Sequence, residues 1–243
     1  MGKSKNRPAE KLTPPKEGAG DHLHTLTRAG LSMIPGVGGP AVELFQTVIA
    51  PPIRKRQQLW MEAVAAGLWR LEEKQRCIVE ELQNNDSFID TVMHASQAAL
   101  RTADEEKRKA LRNAVLNAAL PNPPDAAKEQ VFVNWVDQFT VWHLRILNLF
   151  ASPDQWFAKH GKQPPQWSIA GSLSQLLIAA FPELANQRPL YDMIGRDLYQ
   201  RGLLNTEGFH TTMSGHGAMA KRTTDLGDEF LGFIAAPEDA LGR

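Results

Sequence analysis

Prolines cut this chain into lengths that helices fill readily. They stand at Pro35, Pro40, Pro51, Pro52, Pro121, Pro123, Pro124, Pro153, Pro164, Pro165, Pro182 and Pro189. A proline inside a helix removes a hydrogen bond and clashes with the preceding turn, but one in the first turn fits well. Between these breaks apolar residues recur at helical spacings. Trp60, Val64, Leu68, Leu71, Ile78 and Leu82 are separated by three, four or seven residues. That spacing predicts a long helix from Ile53 to near Asn84-Asn85. Asp86-Ser87 opens the next helix, with Phe88, Val92 and Leu100 on its buried stripe. Thr102 to Asp104 opens another, with Leu111, Val115 and Ala119 inward and Glu105 to Lys109 in solvent. Further helices are expected on Val131 to Phe139, after Thr140, over Ser172 to Phe181, and over Pro189 to Arg201 with Gly202 closing it. Thr223-Thr224 caps a last helix, Asp225 to Ala235. The chain reads as mainly α.

The run Pro121-Asn122-Pro123-Pro124 reads as a domain boundary. Residues 1–20 are polar and read as a solvated tail rather than a signal peptide, because no apolar stretch follows the charges. Residues 21–121 read as an N-terminal helical bundle. Residues 125–236 read as a winged-helix-like α+β module, and residues 237–243 as a tail. The module rests on element order: a leading helix, a short helix, a longer one, a polar hairpin over Thr206 to Arg222, and a closing helix. The Thr224 cap with Gly227 three residues on predicts a helix that starts close against the sheet.

The charge balance narrows the functions open to the chain. There are 27 basic and 27 acidic residues, so binding nucleic acid by bulk charge is excluded and only a local basic face remains. The single cysteine, Cys77, excludes an internal disulfide framework and a multi-cysteine metal site. It fits a reducing, cytoplasmic setting. The turn from Pro35 to Pro40 lacks the Lys-Ser/Thr of a phosphate loop and follows no strand. His22, His24, His210 and His216 lack the spacing of a zinc site. No nucleophile elbow or kinase signature is present. The chain is therefore read as a non-enzyme with no cofactor, no metal and no evident small-molecule substrate. His143 reads as a hydrogen-bonded structural histidine, and Trp135, Trp142, Trp156 and Trp167 as packing residues.

Several segments carry a resemblance. They are Ile34-Pro35-Gly36-Val37-Gly38-Gly39, Pro51-Pro52-Ile53-Arg54-Lys55-Arg56, Ala110 to Asn117, Trp142 to Leu147, and Thr224 to Phe230. Through them the chain, from Leu23 to Ile234, resembles a group of uncharacterised bacterial proteins. Mainly through the closing helices, it also resembles the abortive-infection alpha family. The resemblance implies a role in phage defence or a stress response. It brings no active-site residues with it.

Three functions are expected on this reading. The first is a protein-interaction module that binds a protein partner or itself. The second is a DNA-binding regulator whose basic face comprises Arg188, Arg196, Arg201, Lys221 and Arg222, with Gln200 in reach of a base. Asp192 and Asp197 share that helix and oppose phosphate. The third is a membrane-active effector using Leu31 to Ile49. Val42, Phe45, Val48 and Ile49 would meet lipid, and Arg54, Lys55 and Arg56 would meet anionic headgroups. The prolines at 35, 40, 51 and 52 leave no run of ~20 residues for a spanning helix.

Overall fold

The computed structural model describes residues 40–167 and 170–237. The chain divides into two compact units, Met1–Lys55 and Arg56–Arg243. In the first, Pro40–Val48 is helix α1 and Ala50 begins helix α2, Ala50–Glu73. The Ile53 N–H donates to the Ile49 carbonyl at 3.3 Å.

In the second unit, α2 buries Trp60, Val64, Gly67 and Leu71, a stripe spaced four, three and four. The Trp60 Nε1–H donates to Ser96 Oγ at 2.8 Å. The helix stops at Glu73, earlier than the periodicity predicts. Gln75 takes a positive φ of 54°. The Arg76 N–H then reaches back to the Leu71 carbonyl and the Gln75 N–H to the Glu72 carbonyl, both at 2.8 Å. This six-to-one and five-to-two pairing satisfies the helix end, even without a glycine. A single turn, Val79–Leu82 (α3), follows.

Helix α4, Asp86–Arg101, is capped by Asn85, whose side chain accepts from the Phe88 N–H. Asp104 caps α5, Glu105–Ala118, and Asp125 caps α6, Ala126–Gln138, in the same way. These three helices pack on one another. Between α4 and α6 the buried Glu129 accepts from the hydroxyls of Ser87 and Thr91, at 2.9 and 2.8 Å. Helix α7, Val141–Ala151, and the short α8, Pro153–Lys159, lead to α9, Leu173–Ala180, and α10, Arg188–Gln200. Gly202 closes α10 with a φ of 73°, as expected for its position past a helix end. One turn, Gly215–Met219 (α11), precedes the last helix α12, Asp225–Ile234.

The mainly α reading holds, but the α+β module does not. Among the described residues there is no strand. Within the Thr206 to Arg222 stretch only Met213 makes a bridge, isolated and antiparallel, with Gly171, and a second isolated bridge, Leu204 with Thr223, joins the residues that flank the stretch. Gly, His, Ser and Met in this stretch do not alternate apolar with polar, so no pleated face forms. Thr224 does cap α12, accepting from the Gly227 N–H at 3.0 Å. Gly227 meets backbone rather than a sheet, and a Cβ there would lie 2.3 Å from the Leu203 carbonyl oxygen.

The Pro121 to Pro124 run, expected to separate an N-terminal domain from a C-terminal one, lies inside one unit. Helix α12 packs on α5 from before the run and on α7 from after it. Phe132, Trp135 and Phe139 of the α6 end cluster with Phe230 at ring separations of 5.5 to 6.0 Å. One hydrophobic core therefore spans the proline run.

Candidate functional site

The basic residues singled out on and after α10 do not present one free face. Arg188 pairs with Asp192 at 3.3 Å and Arg201 with Asp197 at 3.0 Å, each four residues apart along the helix. Lys221 pairs with Asp228. Arg222 turns inward, donating to the Gly217 carbonyl and touching Met213 Sδ. Arg196 and Gln200 are exposed, and Arg196 has no ion pair among the described residues.

Asp197 has a second partner. His143 Nε2 lies 3.3 Å from its Oδ2. His143 Nδ1 accepts from the Thr140 backbone N–H at 3.2 Å and lies 2.9 Å from the Thr140 hydroxyl. The imidazole lies flat on Phe139, with 4.7 Å between ring centroids and 4° between planes. Burial pushes the His143 pKa below its usual range, against the pull of Asp197. Hydroxyl, imidazole and carboxylate thus stand in the order of a relay. Nδ1, however, is already taken by the backbone amide that α7 leaves unpaired at its start. This group locks the α7 N-terminus to α10. The structural histidine expected at position 143 has that role.

On the N-terminal side, Val48 and Ile49 are exposed, as are Arg54 and Lys55, while Arg56 donates to the Leu100 carbonyl at 3.4 Å. The side chains of Val42 and Phe45, and the Leu31 to Gly39 stretch, lie outside the described residues. Among the described residues no helix is long and apolar enough to cross a membrane. Cys77 is partly buried, and that burial raises its thiol pKa, with Glu72 adding to it. A thiol held protonated is a poor nucleophile.

Sequence reasoning misses two features. The first is the outer face of α2. Leu59, Glu62, Ala66, Trp69 and Glu73 are all exposed and spaced three, four, three and four, a second stripe opposite the buried one. Leu59 is 54% exposed and Trp69 50%. The signal is present in the spacing, but the core stripe on the same helix accounts for the periodicity by itself. The second is a cleft formed where α5, α7, α8 and α12 meet. It consists of two hollows of about 690 and 650 Å³ that share Asn148, Gln155 and Lys159. No local motif marks it, because its residues come from four helices.

Comparison with family models, with curated proteins and with solved structures gives no match.

Proposed function

We propose that this protein is a non-enzymatic interaction module that pairs with a second copy of itself through the outer stripe of α2. The observation that carries this reading is the exposed heptad-like stripe with a tryptophan in it. Trp is a frequent anchor of protein interfaces, and leaving Trp69 and, nearly three turns away, Leu59 half in solvent costs free energy in a lone monomer. The stripe is also self-complementary. In an antiparallel pair whose twofold axis lies level with Val64, Leu59 of one copy meets Trp69 of the other. Glu62 then lies level with Ala66 of the second copy and one turn from its Arg70, and the twofold repeats that acid–base pair once. An isologous contact of this kind closes after two copies. It buries on the order of 1,000 Å² in total, the low end for a specific interface, so dissociation in the range of about 10 μM is expected.

A DNA-regulator reading draws less support, since Arg188, Arg201 and Lys221 are neutralised by their own aspartates. The bacterial defence setting implied by the resemblance belongs to this proposal as its biological context.

Light scattering on a size-exclusion column tests the pairing. Wild type at about 100 μM should run as a dimer and Trp69→Glu as a monomer of unchanged helicity. Glu62→Arg and Arg70→Glu should each weaken the dimer, and the two together should restore it. A monomeric wild type at that concentration would falsify the proposal. A dimer indifferent to the charge swap would place the contact elsewhere.

A further inference from the structure

The cleft between α5, α7, α8 and α12 has a charge excess that the chain as a whole lacks. Its acids are spoken for. Glu106 receives the Arg145 Nε–H, with Nε 3.1 and 3.0 Å from its two carboxylate oxygens. Asp228 is paired with Lys221 and accepts from the Thr223 hydroxyl at 2.6 Å. The C-terminal end of α12, which lines one hollow at Ile234 and Ala235, would ordinarily repel anions through its free carbonyls. Here those carbonyls are occupied. Asn117 Nδ2 donates to Phe233 and Ala235 at 2.7 and 2.9 Å, and Asn113 Nδ2 donates to Ile234 at 3.0 Å.

What remains is positive. Lys109 and Lys159 line the same hollow, both are exposed, and neither has an ion pair among the described residues. His160 lines the adjoining hollow, its ring stacked on Trp156 with 3.9 Å between centroids. The shared centre holds the Asn148 and Gln155 side chains, both exposed. Ammonium groups hold phosphate as point charges, and carboxamides supply neutral donors and acceptors. The volume suits a small molecule rather than a macromolecular strand.

We propose that this cleft binds a small phosphorylated metabolite, with its phosphate between Lys109 and Lys159 and its polar remainder against Asn148 and Gln155. The inference is independent of the pairing through α2. Calorimetric titration of the full chain at low salt, with AMP and with pyrophosphate, tests it beside NMR of the side-chain amides. AMP should saturate with a Kd of about 1 mM or tighter and shift the Asn148 and Gln155 amide signals. The Lys109→Gln/Lys159→Gln variant should fold as wild type, both positions being exposed, and weaken AMP at least about tenfold. Arg196→Gln, which removes an exposed charge elsewhere, should leave affinity unchanged.

Absence of saturation up to about 10 mM overturns the site. So does equal weakening by Arg196→Gln, which would mean diffuse charge. Pyrophosphate binding as tightly as AMP overturns the role of the carboxamides. A single-stranded oligonucleotide held through the same two lysines more than about tenfold tighter than AMP overturns the small-ligand assignment.

Discussion

Helices α5 and α2 invert what their compositions promise. Helix α5, EEKRKALRNAVLNA, carries six charged residues in fourteen, yet eight of its residues are buried. Helix α2 is longer and contains Leu, Trp and Met, yet only four of its twenty-four residues are buried. The difference lies in what surrounds each helix. Helix α5 is covered by α4, α6 and α12, and its charges cluster in the first turns, which reach solvent. Its two buried polar residues, Asn113 and Asn117, meet the carbonyls at the end of α12. A buried amide is tolerated when its hydrogen bonds are made. Helix α2 has a covered side and an open one, so within the single chain the apolar residues on its open side reach solvent. Burial here follows the availability of neighbours and hydrogen-bond partners, not polarity along the chain.

The contrast can be broken most severely at Asn117. Asn117→Ala leaves the Phe233 and Ala235 carbonyls without their donor and opens space beside α12. A loss of about 3 kcal/mol is expected, a fall in Tm of roughly 6–12 °C for a unit of this size. Thermal melts by circular dichroism measure it, and a fall under 2 °C, roughly half a kcal/mol, would show that the clamp contributes little.

A smaller effect is expected where the two helices touch. A Cβ on Gly67 of α2 would lie 2.7 Å from both Cδ atoms of the buried Leu116 of α5. Gly67→Ala gains helix propensity of about 1 kcal/mol but overpacks by about 1–3 kcal/mol, for a net loss near 1 kcal/mol. Chemical denaturation of the full chain gives the sign. A stabilised variant would mean that Leu116 yields freely and that the seam is loose.

The smallest effect concerns His143. Its folded pKa is depressed by burial, so folding favours the neutral ring. Its contribution is complete above the unfolded value of about 6.5 and is lost as pH falls through the folded value. Wild type should therefore lose stability from just below pH 6.5 downward (roughly the unfolded His value), and His143→Gln should lose less over that window. Parallel acid slopes in denaturant titrations would remove His143 from the account.

Much of the helical layout is legible because its signals are local. Proline breaks, the Thr224 cap with Gly227 and the closing Gly202 all act within one turn. The expected hairpin fails because it rests on element order instead of strand patterning, and order alone does not make a pleated face. The proline run at Pro121 to Pro124 mimics a boundary because a break in backbone is not a break in core. The Phe132 and Phe230 cluster crosses it through space. The cleft stays out of view for the same reason, since Lys109, Asn148, Lys159 and Lys221 share no spacing that a sequence pattern could show.

The Asn113 and Asn117 clamp also carries a schedule. Its partners lie well over a hundred positions further along the chain, so the contact closes one of the longest loops in the molecule. Loop-closure entropy must be met before the clamp returns anything, which places it late in folding. During synthesis α5 leaves the ribosome long before Asp225. Until α12 arrives, the two carboxamides on the inner face of α5 donate to water, and α12 is the piece that replaces that water with its own carbonyls. A chain halted before α12 thus lacks the element that covers this face of α5 and its contact with α7.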